Sequence, residues 1–159
     1  MILKVRHGIK GLYIMKNNLK PIPELYVSYD RAQKLKSEAA DLKSWDLTLR
    51  QICDLELLMN GGFNPLNGFL NEEDYDSVVK NMRLADGHLW PIPINLDVSE
   101  EFAASLELDQ SIALRDQEGV ILAIITVTDR WRPNKSFEAK MVFGTNDLAH
   151  PAVNYLYSQ

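Results

Sequence analysis

The chain has 159 residues, the length of one domain of ordinary size, and its 46% hydrophobic and 25% charged residues are typical of folded globular proteins. The formal net charge of -5 argues against a broad basic surface, so nucleic acid is not an expected partner. Cys53 is the single cysteine, which excludes an intrachain disulfide, and its apolar helical context predicts a buried, inert thiol.

The N-terminal segment carries no export signal, since it lacks both an uninterrupted apolar run and a small-residue cleavage site. No stretch approaches the roughly 20 apolar residues that a membrane-spanning helix needs. Together with the lone cysteine, these features predict a cytoplasmic protein without a membrane partner.

Two helices are predicted in the first part of the chain. Apolar residues recur at helical spacing within residues 30–42 and again within residues 49–60. Thr48 and Gln51 match a capping box at the start of the second helix, and Gly61 can take a positive φ at its end. We expect Ile52, Leu55, Leu58 and Met59 to share its buried side.

A third helix follows, capped by Asn71 and favoured by acidic residues in its first turn. Its predicted buried stripe, at positions i, i+3, i+4 and i+7, consists of Tyr75, Val78, Val79 and Met82.

The second half of the chain is richer in predicted strands. Alternating apolar residues at 92–98 indicate a half-buried strand interrupted by prolines, and Ser99 begins a short capped helix. Residues 111–115 and 120–128 are predicted strands joined by a hairpin connection, and helices are expected at 136–143 and from Pro151 to Tyr157. Because both halves are expected to share one core, the predicted class is α+β.

The glycines after the second helix do not form a P-loop. Gly61, Gly62 and Gly68 lack both a preceding strand and a following Lys-Ser/Thr pair, so a turn is the expected structure. The acidic residues that start the third helix are explained by its dipole. They are Glu72, Glu73, Asp74 and Asp76.

The histidines are also poor candidates for chemistry. His7, His88 and His150 are too dispersed for a metal site, and none begins a zinc-binding motif. We therefore assign no catalytic, cofactor-binding or metal-binding residue.

Arg130, Trp131 and Arg132 place an aromatic ring between two cations, an arrangement that can stack on nucleic-acid bases. Strand-edge packing or contact with a neighbouring domain is the alternative. Asn134 begins a glycosylation sequon, which carries little meaning without an export signal.

Ordered sequence landmarks from about Leu19 to Tyr157 resemble one family. They are the residues at 49–56, 60–63, 65–69, 82–84, 89–93, 96–98, 114–116 and 150–153. In these segments the chain is similar to the N-terminal, PUA-like domain of sulfate adenylyltransferase, also called ATP sulfurylase. That family converts ATP and sulfate to adenylylsulfate and pyrophosphate, as part of sulfur metabolism.

The resemblance implies a small, partly closed β-barrel with peripheral helices, spanning residues 19–159. Residues 1–18 are then an N-terminal extension, and Met15 is the expected native start.

In the resembled enzymes, Gln-x-Arg-Asn-Pro and His-x-x-His motifs in the following domain hold sulfate and the phosphates of ATP. This chain contains neither motif, and Asn64-Pro65 is only a chance fragment of the first. The resemblance therefore implies a truncated, noncatalytic domain that supports a catalytic domain, in cis or in trans, and that takes part in a homo-oligomer. ATP and magnesium belong to the full-length enzyme. The alternatives are a stand-alone RNA-binding PUA-like module and one half of a split ATP sulfurylase.

Overall fold

The computed structural model describes the backbone of residues 2–6 and all of residues 22–158. The elements in chain order are β1 (Ile2–Arg6), α1 (Tyr29–Glu38), a 3-10 turn (Ala39–Asp41), β2 (Ser44–Asp46), α2 (Leu49–Met59), α3 (Glu72–Asn81), β3 (Leu96–Asp97), α4 (Glu100–Ala104), β4 (Ser111–Arg115), β5 (Ile121–Trp131), α5 (Lys135–Phe143) and α6 (Pro151–Ser158). The class is α+β, as predicted.

Residue contacts cluster in two compact units, where the sequence predicts a single core. Of the described residues, unit 1 contains 2–4, 70–106 and 129–158. Unit 2 contains 5–6, 22–69 and 107–128. Each unit therefore joins segments that are distant in sequence.

The core of unit 2 is an open sheet in which β4 lies between β2 and β5. β2 runs parallel to β4 with Ser44 opposite Ala113, and β5 runs antiparallel to β4 with Ile125 opposite Ile112. The central residues of β4, 112–114, are fully buried, and because successive side chains point to opposite faces, both faces of this strand are covered there. The described strands of this unit form no closed barrel, so the partly closed barrel stays a prediction.

The start of α2 confirms the predicted capping box. The Gln51 N–H donates to Thr48 Oγ1 at 3.3 Å, and the Thr48 N–H donates to Gln51 Oε1 at 3.0 Å. At the other end of the helix, Gly61 takes a φ of 77°, the left-handed conformation that glycine adopts without steric cost.

The buried face of α2 differs from the predicted one. Its buried residues are Gln51, Asp54, Leu55 and Leu58, whereas Ile52 and Met59 are only half-buried. The prediction of a buried Cys53 is wrong, because that thiol is exposed. Cys53 follows Gln51 by two positions, which places it about 200° around the helix from the buried face.

In unit 1, the prediction for α3 is confirmed except for the last residue of the predicted buried stripe. Asn71 Oδ1 accepts the Asp74 N–H at 2.8 Å, and Tyr75, Val78 and Val79 are buried. Met82, predicted to complete the stripe, is instead 58% exposed. Its φ of 53° is left-handed, so the helix ends before the side chain can point inward.

The strand predicted at residues 92–98 is reduced to β3, which pairs antiparallel with β1 through Ile2 opposite Asp97 and Leu3 opposite Leu96. Residues 93–96 are all buried, and the predicted alternation is lost because Asn95 points into the protein as well. The prolines upstream lack the N–H groups that would extend the ladder.

The remaining helices of unit 1 confirm their predictions. Ser99 accepts the Phe102 N–H at the start of α4, and α5 and α6 occupy the expected segments. None of the described helices combines the length and apolarity needed to cross a bilayer.

Candidate functional site

The aromatic ring between the two arginines is inaccessible to a nucleic-acid base. Trp131 is 6% exposed, and its ring lies 5.7 Å from the ring of Tyr75 at an interplanar angle of 51°. A stacking platform for single-stranded nucleic acid must present an open ring face. Trp131 instead packs within unit 1.

The two guanidinium groups are engaged by α4. Arg130 Nη1 donates to the carbonyl oxygens of Ala103 at 3.0 Å and Leu106 at 2.7 Å, where this helix ends. Arg132 forms an ion pair with Glu100 in the first turn of the same helix. Carbonyl groups at a helix end have no intrahelical donor, so Arg130 replaces the missing hydrogen bonds. The cluster is therefore a structural support for α4.

A buried polar pair connects α3 to α5. The Tyr75 hydroxyl donates to Glu138 Oε2 at 2.7 Å, and both residues are buried. Burial and, next, the neighbouring Glu138 carboxylate raise the pKa of Tyr75 far above its ordinary value. The tyrosine therefore stays a proton donor to the carboxylate, and the pair fixes two helices in unit 1.

The backbone amides of the glycine-containing turn after α2 donate hydrogen bonds to acceptors within the same turn. The Gly62 N–H donates to Asn60 Oδ1 at 2.8 Å, and the Asn64 N–H donates to the Gly61 carbonyl at 3.0 Å. The Leu66 N–H donates to the Phe63 carbonyl at 2.7 Å. A phosphate cradle needs several free amides pointing to one place. These amides are already paired, and residues 60–65 form the turn that the sequence predicts.

The described histidines have local partners. His88 Nδ1 lies 2.9 Å from Asp86 Oδ1, and the His88 N–H, which donates to the same carboxylate, lowers the pKa of Asp86. The His150 ring stacks on Phe143 with centroids 5.7 Å apart. His7 lies outside the described residues.

The acidic residues of α3 also serve the fold. Asp74 Oδ1 accepts the Ala85 N–H at 2.9 Å, and Asp76 pairs with Lys80 at 2.6 Å. Within residues 22–158, no three His, Cys, Asp or Glu side chains are grouped so that they could hold a metal ion.

Two arrangements in the structure were missed from sequence. Asn134 Oδ1 accepts the Phe137 N–H at 3.0 Å, which makes Asn134 the N-cap of α5. An apolar cleft of about 100 Å³ lies in unit 2, and Leu35, Met59 and Ile124 contribute to its lining. Typical small-molecule pockets measure about 300–1,000 Å³, so this cleft is too small for a nucleotide. The sequence signal for the cap of α5 was Asn134 itself, an asparagine directly before the first helical residue and three positions ahead of Phe137.

Comparisons with known proteins give a consistent result. A family model described as PUA-like domain matches residues 15–159. The sulfate adenylyltransferase of Kluyveromyces lactis is 55% identical over 123 residues, 77% of this chain and 24% of that protein. The enzyme of the same name from Saccharomyces cerevisiae is 52% identical over 123 residues, 77% of this chain and 24% of that protein.

A solved structure, described as a hexameric APS kinase from Thiobacillus denitrificans, superposes with a TM-score of 0.61 at 38% identity. The match covers 67% of this chain and 22% of that one. The chain thus spans about a quarter of the length of the curated relatives that it matches. It belongs to the PUA-like domain family and corresponds to the N-terminal domain of the sulfate adenylyltransferases.

Proposed function

We propose that this chain is a noncatalytic domain whose role is to support and dock the catalytic domain of a sulfate adenylyltransferase. The whole enzyme would join sulfate to the adenylyl group of ATP and release pyrophosphate. One observation carries the proposal: the chain matches only about a quarter of each sulfate adenylyltransferase. Within that part, Arg130, Arg132 and the amides after α2 make contacts inside the fold. Adenylyl transfer requires such groups to face the substrate.

The proposed partner is the catalytic domain, joined in the same polypeptide or supplied as a separate chain. ATP, magnesium and sulfate would bind to that domain. The solved relative is described as hexameric, which supports a homo-oligomer for the complete protein. We also propose a cytoplasmic location, a partly closed barrel and a domain that spans residues 19–159 after an extension at 1–18.

An activity assay tests the noncatalytic role. The purified chain is incubated with ATP, sulfate, magnesium and inorganic pyrophosphatase, and released phosphate is measured. We expect no release above a reaction without the chain. Turnover would contradict the proposal, because the reacting groups would then have to lie in this domain.

A second assay tests the supporting role. This chain replaces the matched 123 residues of the Saccharomyces cerevisiae enzyme, and the chimera is assayed beside the same enzyme with those residues deleted. We expect the chimera to be active and the deletion to lose most activity or to aggregate. An inactive, well-folded chimera would refute the docking role.

The RNA-binding alternative has no support from the geometry of Trp131 and its neighbours. A gel-shift titration with single-stranded RNA at two salt concentrations checks this, since phosphate contacts give affinity that falls steeply with salt. Tight, salt-sensitive binding would revive that alternative.

A further inference from the structure

The chain contains two asparagine–glycine pairs, and the structure places them in opposite environments. Asn60-Gly61 lies at the end of α2, and Asn67-Gly68 lies in the segment that follows the turn. Asparagine followed by glycine is the pair most prone to spontaneous deamidation, because glycine has no Cβ to shield its nitrogen from the asparagine side chain. The sequence treats the two pairs alike, so only the fold can distinguish them.

In this reaction the backbone nitrogen of the glycine loses its proton and attacks Cγ of the preceding asparagine. A C–N bond forms, the side-chain nitrogen takes up a proton and leaves as ammonia, and the product is a five-membered succinimide. Water then opens the ring at either carbonyl, which yields aspartate or isoaspartate. Water is thus the co-reactant, and no change of oxidation state occurs.

Asn60-Gly61 is held in a conformation that cannot react. The Asn60 N–H donates to the Glu56 carbonyl at 3.0 Å, and Asn60 Oδ1 accepts the Gly62 N–H at 2.8 Å. The Asn60 ψ of 1° turns the Gly61 nitrogen toward the Asn60 nitrogen and away from the Asn60 side chain. Gly61 is also buried, so rotation of this pair would require the end of α2 to unfold locally.

Asn67-Gly68 lacks these restraints within the part of the chain that the structure describes. Asn67 is exposed, and neither residue of the pair makes a hydrogen bond there. The Leu66 N–H donates to the Phe63 carbonyl at 2.7 Å just before the pair, and Phe69 is buried just after it. The pair lies between these anchored positions and can rotate without breaking a hydrogen bond.

We propose that Asn67 is a site of spontaneous deamidation through attack by the Gly68 nitrogen, and that the fold protects Asn60 from the same reaction. The product carries an additional negative charge at an exposed position. In the isoaspartate form the main chain also gains a methylene group just before the buried Phe69. The reaction depends on this chain alone and not on a catalytic domain.

Peptide mass spectrometry in heavy-oxygen water tests the assignment. The purified chain is incubated at pH 8 below its unfolding temperature, and a second sample is kept in concentrated guanidinium chloride. Each new deamidation event incorporates a heavy oxygen, which separates it from aspartate formed earlier. Chymotryptic cleavage after Phe63 separates Asn60 from Asn67, and electron-transfer fragmentation distinguishes isoaspartate from aspartate.

In the folded chain Asn67 should react within about fivefold of its rate in the denatured chain, because no local unfolding is needed. Asn60 should react at least about tenfold more slowly than Asn67 in the folded chain, and at a similar rate in the denatured chain. Asn64 is an internal control that should yield no succinimide product, since the nitrogen of Pro65 carries no proton.

Substitutions test the role of the Gly68 nitrogen. Gly68→Ala adds a Cβ beside the attacking atom and should slow the reaction of Asn67 at least about fivefold. Gly119→Ala, whose new Cβ meets open space in unit 2, is the control and should change that rate less than about twofold. Circular dichroism verifies the fold of both variants. The comparison between folded and denatured unsubstituted chain decides the matter if Gly68→Ala does not fold.

Three results would each overturn the assignment. The first is protection of Asn67 by more than about fivefold relative to the denatured chain. The second is a rate for Asn60 in the folded chain within about tenfold of that for Asn67. The third is aspartate as the sole product at position 67, because opening of a succinimide gives both isomers. None of them bears on the proposed docking role, since the readout is a covalent change in this chain.

Discussion

Replacing Tyr75 by phenylalanine removes one hydroxyl from the buried pair that joins α3 to α5. The ring and its contact with Trp131 are kept, so the change isolates the hydrogen bond to Glu138. A buried hydrogen bond to a charged group contributes about 1.5–3 kcal/mol. We expect Tyr75→Phe to lower the free energy of unfolding by about 2 kcal/mol at pH 7.

The same pair predicts a pH dependence whose sign is fixed. In the unfolded chain Tyr75 loses its proton near its ordinary pKa of 10.0, whereas in the folded protein its pKa is raised. Above pH 10 the unfolded state therefore binds fewer protons than the folded state, and stability falls as pH rises. By pH 11 this loss reaches about 1.4 kcal/mol in the original protein and is absent in Tyr75→Phe.

The measurement is urea unfolding followed by tryptophan fluorescence at pH 7, 10 and 11. The difference between the two proteins should be largest at pH 7 and should shrink by about 1.4 kcal/mol between pH 7 and pH 11. Tyr29→Phe, at a highly exposed tyrosine, is the control and should stay within about 0.5 kcal/mol of the original protein. A loss below about 0.5 kcal/mol for Tyr75→Phe, or a difference that does not depend on pH, would refute the reasoning.

Three further predictions concern local structure. Thr48→Ala should lower the unfolding free energy by about 1 kcal/mol in urea titrations, since the capping box loses its hydroxyl acceptor, whereas Thr48→Ser should change it little. Gly61→Ala should lower the unfolding free energy by at least about 1 kcal/mol more than Gly87→Ala. Both glycines have a positive φ, but only at Gly61 would the new Cβ collide with Ile22. Equal losses for the two variants would contradict the packing argument. Cys53 should react fully with a thiol reagent in the folded protein within minutes, and a rate equal to that of global unfolding would show that it is buried.

The sequence predicts best those features that depend on residues close in the chain. The Thr48–Gln51 box, the Asn71 cap and the apolar stripe of α3 follow from fixed helical spacings. Met82 fits the same stripe, yet the backbone turns left-handed there. Periodicity does not report where a helix stops when the terminating residue is not glycine.

Features that depend on distant residues were harder to predict. The buried face of α2 includes Gln51 and Asp54, which are tolerated because one closes the capping box and the other lies 3.6 Å from Arg50. Hydrophobic periodicity assigns such polar residues to solvent. Arg130 looked available for a ligand because its two acceptors, the carbonyl oxygens of Ala103 in α4 and Leu106 just after it, lie 27 and 24 residues away in sequence.

The carboxylate of Asp129 accepts the first amide of α3, that of Glu72, across a sequence separation of 57 residues. The ribosome synthesises α3 well before Asp129, because synthesis proceeds at about 5–20 residues per second. For several seconds only the side chain of Asn71 caps the nascent helix. The Glu72 N–H gains its acceptor when β5, which contains Asp129, has been synthesised. The leading end of α3 should therefore become protected only after this strand is synthesised, and the rest of unit 1 only after α5 and α6 have followed it.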